Sequence, residues 1–477
     1  MKPNIVFILM DDLGWRDLSC YGSAFYETPR IDALAREGML FSDAYAACPV
    51  CSPSRASLMT GKYPARVGVT DWLDHSGHNH PLKGKLIDAP YSHCLPLTEK
   101  TIASALRDGG YATWHLGKWH LGMEPYWPEH HGFDVNIGGC EWGYPVGGYF
   151  SPYQNPRLAD GPEGEYLIDR LTDEAISLIR NRGMDTPFFL YMSHYAVHEP
   201  VEAKAEDIAY FEKKARRLGL DRLPVFEIGE NWPCGSDDPD NHFIGAEKRH
   251  VVRRRVQSDP VYAAMIKSLD GNTGRLLDAL ENEGIGGNTI VIFTSDNGGF
   301  SSYLEGYGDT PTCNAPLAEG KGWMYDGGVR EPLIIRWPSV IRAGSTCGEP
   351  VTTPDFYPTL LDAAGLPPLP LQHVDGMSMI DALYEKPFSR GPVFWHYPHY
   401  GNQGGTPGAA VREGDFKLIE FFEDGRIELY NLKDDISETN NLSGVLPEKA
   451  AELCAKLHIW MKDAGAIQPK QNPGWNR

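Results

Sequence analysis

The sequence predicts an α/β sandwich around a large, mostly parallel sheet, followed by a smaller α+β subdomain with an antiparallel sheet. Two observations carry this. Short runs rich in β-branched and aromatic residues alternate with amphipathic segments up to about residue 385. Beyond that point apolar and polar residues alternate with a period of two, with turn residues between the runs. The expected division is 1–385 for the larger domain and 386–477 for the smaller one.

The strands of the larger domain are expected at NIVFILM (4–10), ATWHL (112–116), PFFLYM (187–192), TIVIFT (289–294) and PLIIRW (332–337). Each is a short apolar run bounded by turn residues, as in parallel strands covered on both faces. Helices fall between them. TPRIDALAREG (28–38) opens on Thr-Pro and closes on Gly, SPSRASLMTG (52–61) places Ser at the cap and Pro just inside, and TIASALRDGG (101–110) closes on Gly-Gly. Residues 165–183 and 260–284 are longer and amphipathic. In the tail, 408–432 alternates through turns at Glu413-Gly414-Asp415 and Glu423-Asp424-Gly425, and 447–465 reads as a closing helix.

A net charge of −20 argues against nucleic-acid binding, which needs a basic face. The two basic runs, KKARR (213–217) and KRHVVRRR (248–255), read as solvated helical faces. No apolar run is long enough to span a bilayer, so no membrane partner is expected. MKPNIVFILMDD reads as a buried strand. The chain is cytoplasmic as written, and periplasmic or secreted if this is a trimmed mature form. Nine cysteines, an odd number scattered over the length, do not make a disulfide framework.

Polar residues follow the predicted strands. Asp11-Asp12 follows the first, Lys118 and His120 the second, His194 and His198 the third, and Asp296-Asn297 the fourth. Carboxyl ends of parallel strands share one edge, where ligands bind. Asp11, Asp12, Asp296 and Asn297 offer only oxygen, which suits Ca²⁺ or Mg²⁺ better than Zn²⁺. ACPVCSPSRASLMTG (47–61) holds Cys48 and Cys51. A redox pair would sit in a smaller thioredoxin-like unit, and a zinc site would need a second ligand pair. Cys51 instead stands at the start of a helix, where free N–H groups and the dipole favour an anion, with Arg55 one turn in.

Cys51-Ser52-Pro53-Ser54-Arg55, followed by Leu58-Met59-Thr60-Gly61, resembles the signature of type I, formylglycine-dependent sulfatases. NIVFILMDDLGWRDLSCYG, GKWHLG, SDNGG, EGKGWMYDGGVREPLIIRWP (319–338), AVREGDFKLI and ELYNLKDDISETNNL look like further blocks of that family, so the resemblance spans nearly the whole chain. Departures are small: Val197 stands where Pro is frequent, and Arg16 where a small residue is common. The resemblance implies an alkaline-phosphatase-like core and conversion of Cys51 to formylglycine by a maturation enzyme. One hydroxyl of its hydrate attacks sulfur, and elimination of sulfate restores the aldehyde. It implies Ca²⁺, with Mg²⁺ as the alternative, held by Asp11, Asp12, Asp296, Asn297 and the modified residue 51. Asp296 would also take the nucleophile's proton. Arg55 and Lys118 would neutralise charge, His120 would be the base for elimination, and His198 and Lys321 would grip the sulfate and assist the leaving oxygen.

The expected substrate is a sulfated carbohydrate attacked at a terminal sugar, of galactose or N-acetylgalactosamine type. Loops 70–80, 138–153 and 394–400 combine aromatic and polar side chains. Trp72 or Trp142 is the expected stacking partner, and Asp71, Asp74, His75, Glu141 and His399 the expected hydroxyl partners. The alternatives are an arylsulfatase, a phosphate or phosphonate ester hydrolase of the same fold, and a sulfated-glycan binder with unconverted Cys51.

Overall fold

The computed structural model describes residues 2–76, 81–236, 243 and 245–475; positions 77–80 of the expected sugar loop lie outside them. The N-terminal strand, Asn4–Met10, is buried along its whole length. It pairs in parallel with Phe188–Ser193 on one side and Thr289–Ser295 on the other. Both of its faces are covered, which is why it is apolar throughout. Val6, Ile8 and Met10 pack with residues of helices Pro29–Glu37, Leu167–Arg180 and Pro260–Asn282. Ile5, Phe7 and Leu9 pack with residues of helices Cys51–Thr60, Ile102–Asp108 and Phe356–Ala363. The sandwich expected from the sequence is therefore present.

The sheet runs in the order Ser345–Cys347, Met39–Tyr45, Arg330–Arg336, Thr289–Ser295, Asn4–Met10, Phe188–Ser193, Ala112–Gly117, Val135–Ile137, with Val351–Thr352 also paired to Met39–Tyr45. One expectation is corrected here. The strand read at 332–337 runs Arg330–Arg336 and is antiparallel to both neighbours. No helical crossover precedes it. The chain leaves Ser295 at the carboxyl edge, builds a long loop there, and re-enters the sheet from the same edge. Met39–Tyr45 is a strand that the sequence pattern does not mark, because Ser42 and Asp43 interrupt its apolar run. Asp43 pairs with Arg330 and Arg412.

Of the two basic runs, KKARR lies on helix Ala205–Leu218 as a solvated face, with Lys213, Arg216 and Arg217 exposed and Lys214 turned inward, whereas the reading of KRHVVRRR is corrected. KRHVVRRR contributes the strand His250–Arg254, in which Arg253 is paired to Glu230 and Glu319. Lys214, on helix Ala205–Leu218, is buried against Phe25 O and Glu27. These cations anchor loops. The nine cysteines are free thiols. Among the described residues no helix is long and apolar enough to cross a membrane.

The tail forms a four-stranded antiparallel sheet, Val393–Tyr397, Gly408–Glu413, Phe416–Phe421 and Ile427–Asn431. Helix Pro447–Ala464 covers one face through Leu453, Leu457, Trp460 and Met461. The other face packs Trp395, Ala410 and Ile419 on Tyr45, Cys48 and Val50, the segment that leads into Cys51. Trp395 Nε1 donates to Ala46 O at 2.8 Å. Lys417 lies between Asp326 and Glu438 at 2.8 and 2.9 Å, all three fully enclosed. Burial pushes the Glu438 carboxyl up to about 7 against the pull of Lys417. Replacing Lys417 with Met should strand a buried carboxylate and cost about 3–5 kcal/mol. A denaturant midpoint unchanged from the parent would show that the ammonium does not hold this sheet to the core.

Candidate active site

Four strands deliver side chains to one edge of the sheet. Asp11 and Asp12 follow Asn4–Met10, Lys118 and His120 follow Ala112–Gly117, His198 follows Phe188–Ser193, and Asp296 and Asn297 follow Thr289–Ser295. The backbones are stitched together: Asp11 N donates to Ala196 O at 3.0 Å and Asp296 N to Met10 O at 3.1 Å. One oxygen from each of Asp11, Asp12 and Asp296 lies within 4.8 Å of the others. All three residues are buried.

Each carboxylate has its own cation. Lys118 Nζ is 2.7 Å from Asp11 and Lys321 Nζ is 2.7 Å from Asp12. Arg55 grips Asp296 Oδ2 through Nε at 2.8 Å and Nη2 at 2.7 Å, while its Nη1 donates to Ser193 Oγ at 2.6 Å and to Lys118 O at 3.1 Å. Burial still pushes Asp11 up to about 8 against Lys118, with Asp296 and Asp12 adding repulsion. Burial also works against Asp12, but Lys321 and then His198 hold its carboxyl well below the usual range. Asp11 Oδ1 and Asn297 Oδ1 are buried without a hydrogen-bond partner. Two orphaned oxygens beside crowded carboxylates fit a hard divalent cation.

Cys51 is the first residue of helix Cys51–Thr60, with Val50 as its cap. Ser52 is thus inside the helix rather than at its cap as the sequence suggested. Its Oγ accepts from Leu73 N at 3.1 Å. Leu73 O then accepts from His120 Nε2 at 2.6 Å. A carbonyl only accepts, so Nε2 carries the ring proton and Nδ1 is left with a lone pair. That Nδ1 faces Cys51 Sγ at 3.3 Å. Burial, then Lys118, holds His120 far below the usual histidine value, so the ring is a neutral base. His198 differs. Its Nδ1 meets Glu199 O at 3.0 Å, and its Nε2 points to Asp12 Oδ2 at 3.7 Å.

Cys51, His120, His198 and Lys321 open into a pocket of about 320 Å³. Trp72, Asp74 and His75 are among its lining residues. Asp71, Glu141, Trp142 and His399 are not. Glu141 accepts from Trp127 Nε1 at 2.9 Å. His399 is fully enclosed, bonded to Thr70 Oγ1 at 2.9 Å and 3.9 Å from Asp71. Asp71 in turn accepts from Trp72 N at 2.9 Å and from Tyr397 Oη at 2.9 Å. His399 therefore braces the loop carrying Trp72 from behind, and no sugar hydroxyl reaches it. The sequence reading missed Ser52, Ser193, Tyr144, Glu199, Phe300, Tyr303, Asn402 and Gln403. Glu199 adjoins a recognised histidine and was findable; the others are brought in by folding.

A family model described as Sulfatase matches residues 3–366. The chain belongs to the sulfatase family. A second model, N-sulphoglucosamine sulphohydrolase, C-terminal, matches residues 319–465. The sulfatase is 32% identical to a protein named Sulfatase from Formosa agariphila, over 96% of this chain and 89% of that protein. It is 31% identical to N-acetylgalactosamine-6-sulfatase of Rattus norvegicus, over 96% of this chain and 79% of the relative. The crystal structure of Ps i-CgsB in complex with k-i-k-neocarrahexaose superimposes with a TM-score of 0.74 at 30% identity, covering 100% of this chain and 95% of the other. The protein is thus a sulfuric ester hydrolase of the alkaline-phosphatase-like α/β class.

The tautomer of His120 is directly measurable. In ¹⁵N spectra of histidine-labelled sulfatase, His120 should show a protonated Nε2 and a bare Nδ1 at neutral pH. It should stay neutral as the pH falls through about 6.5, the ordinary histidine value. A doubly protonated ring at pH 7 would contradict the geometry.

Proposed function

We propose that this sulfatase releases sulfate from a sulfated carbohydrate, using formylglycine made from Cys51 by a maturation enzyme and Ca²⁺ held by Asp11, Asp12, Asp296 and Asn297. The observation that carries the reading is the bare Nδ1 of His120 aimed at residue 51, at the start of a helix and above an acid cluster. Formylglycine supplies, as its hydrate, one hydroxyl to attack sulfur and a second whose proton must leave. A bound divalent cation supplies positive charge for sulfate oxygens, and an oxygen-only donor set favours Ca²⁺.

The chain's own side chains do the rest. His120 Nδ1 takes the departing proton of residue 51, and the Leu73 carbonyl keeps the ring in the tautomer that can do so. Asp296 accepts the nucleophile's proton, with its position fixed by the two-pronged grip of Arg55. Lys118 and Arg55 offset charge beneath residue 51. Lys321 reaches the pocket floor and holds an anionic oxygen. His198 Nδ1 donates to Glu199 O, so Nε2 faces the leaving oxygen and carries a proton only in the doubly protonated ring; burial and then Lys321 pull the ring down to about 3, and the negative charge of a sulfate beside it is what would raise it enough to protonate the leaving oxygen. A carbohydrate is supported by the relatives, one named for N-acetylgalactosamine and one solved with a carrahexaose. It is also supported by Trp72 and Tyr144 at the mouth, which offer ring faces to a sugar.

Three outcomes follow. Cys51→Ala should abolish sulfate release while keeping the parent melting temperature, since one side chain at a pocket wall carries little core area; turnover near the parent rate would end the covalent reading. His120→Ala should lower kcat about 10²–10⁴-fold and still release one equivalent of alcohol in a rapid burst; a uniform slowing with no burst would move His120 out of the second half of the reaction. Chelation should lower both activity and melting temperature, and Ca²⁺ should restore both in the parent but not in Asp296→Asn; stoichiometric zinc in active enzyme would refute the calcium assignment.

A further inference from the structure

Glu420, Cys454 and His458 bring a carboxylate, a thiol and an imidazole together on the outer face of the C-terminal sheet. One ligand atom of each lies within 4.8 Å of the other two. The placement follows from the two elements. Side chains alternate along strand Phe416–Phe421, so Glu420 points the same way as Leu418, toward helix Pro447–Ala464. On that helix Leu453 and Leu457 face the sheet. Cys454 and His458 are the next residue after each, at the edge of the buried stripe. They are four positions apart, so one lies above the other on the helix. Ile419 and Phe421 point to the opposite face, toward the segment that leads into Cys51. The sheet therefore stands between this cluster and the pocket.

The donors are unlike those of the acid cluster. Cys454 Sγ is 3.6 Å from His458 Nε2, and the same nitrogen is 2.6 Å from Glu420 Oε2. One nitrogen thus stands between a sulfur and a carboxylate oxygen. In a tetrahedral zinc site, a Zn–S distance of about 2.3 Å and a Zn–N distance of about 2.0–2.1 Å set sulfur and nitrogen about 3.5–3.6 Å apart. The sulfur–nitrogen edge is already at that spacing. The nitrogen–oxygen edge has hydrogen-bond length and widens to about 3.4 Å around a metal, a small swing for a glutamate side chain. No competing cation holds Glu420. Among the described residues its ion pair is with His458, and Lys449 and Lys456 of the same helix are turned to Glu413 and Glu452. Burial, then Glu420, pushes the Cys454 thiol up, so its proton leaves when a cation offsets the carboxylate.

We propose that Glu420, Cys454 and His458 form a zinc site, separate from the catalytic cluster, that clips the closing helix to the C-terminal sheet. A sulfur, a nitrogen and an oxygen donor suit Zn²⁺, whereas Ca²⁺ and Mg²⁺ take oxygen. On binding, the thiol proton passes to solvent. The His458 ring proton moves from Nε2 to Nδ1, and the hydrogen bond from Nε2 to Glu420 is exchanged for a bond from each group to the metal. The His458 side chain is 52% exposed, which gives the ion its way in and leaves the fourth position to water. The site joins a strand to a helix some thirty residues on, so the metal braces the layer that backs the Cys51 segment.

The test uses the full chain with reduced thiols in excess Ca²⁺, which keeps the acid cluster supplied. Co²⁺ is added as a coloured stand-in for Zn²⁺. The parent should show tetrahedral d–d absorption and a thiolate-to-cobalt charge-transfer band, and Zn²⁺ should displace both. Cys454→Ser should remove the charge-transfer band. His458→Ala and Glu420→Gln should each weaken Zn²⁺ binding about tenfold or more. Zn²⁺ should raise the melting temperature of the parent but not that of Cys454→Ser. In the unaltered chain Zn²⁺ should shield Cys454 from alkylation, read by peptide mass, and leave the partly exposed Cys20, Cys94 and Cys347 as reactive as before. A parent without the charge-transfer band, or the same band in Cys454→Ser, overturns the proposal. So does alkylation of Cys454 at an unchanged rate in zinc. Equal zinc content in parent and Cys454→Ser also overturns it, while one equivalent fewer in the variant supports it; only the zinc that remains in the variant bears on calcium at the acid cluster.

Discussion

Three carboxylates within 4.8 Å of one another, in a place almost closed to water, are the constraint to which the rest of the molecule answers. Left alone they would repel one another and resist ionisation. The fold meets them with three cations, one each: Lys118 on Asp11, Lys321 on Asp12, Arg55 on Asp296. Each cation reaches the cluster from a different stretch of chain. Removing any one partner would leave a buried charge uncompensated, so the site is also a stability element that ties distant segments together.

That requirement explains the path of the chain. Parallel strands place their carboxyl ends together, so residues hundreds of positions apart meet there without long reaches. The antiparallel entry of Arg330–Arg336 belongs to the same arrangement, because the loop between residues 296 and 329 must stay on the carboxyl edge to bring Lys321 to Asp12. Arg253 steadies that loop by pairing with Glu319, two residues before the lysine.

The C-terminal sheet contributes no charge to the cluster, yet it shapes what reaches it. Trp395 packs on the segment preceding Cys51 and donates to Ala46 O. Tyr397 and His399, from the end of the same strand and just beyond it, hold Asp71, and Asp71 holds Trp72. The wall of the pocket is therefore set from behind by a part of the chain that never lines it at these positions. Asn402 and Gln403, a few residues on, do line it. This is a common division in enzymes of this size: a rigid sheet edge for chemistry and loops from a second layer for recognition.

The strands were legible in the sequence because burial on both faces leaves an unbroken apolar run. The acid, amide, lysine and histidine residues were legible because they stand directly after those runs or, for His198, within the loop that follows one. Asp11, Asp12, Lys118, His198, Asp296 and Asn297 all fall in that class, and Cys51 was marked by its place before a Ser-Pro-Ser-Arg helix start. Three things were decided only by tertiary structure. The direction of Arg330–Arg336 depends on which edge the preceding loop occupies, and a strand's residues carry no mark of that. The roles of Glu141 and His399 depend on what closes over them; their polarity is equally suited to a sugar or to a buried brace. The tautomer of His120 depends on a backbone carbonyl at Leu73, placed by a hydrogen bond from Leu73 N to Ser52. Backbone groups are the same at every position, so their use in a site cannot be read from side-chain identity and appears only once the chain has folded.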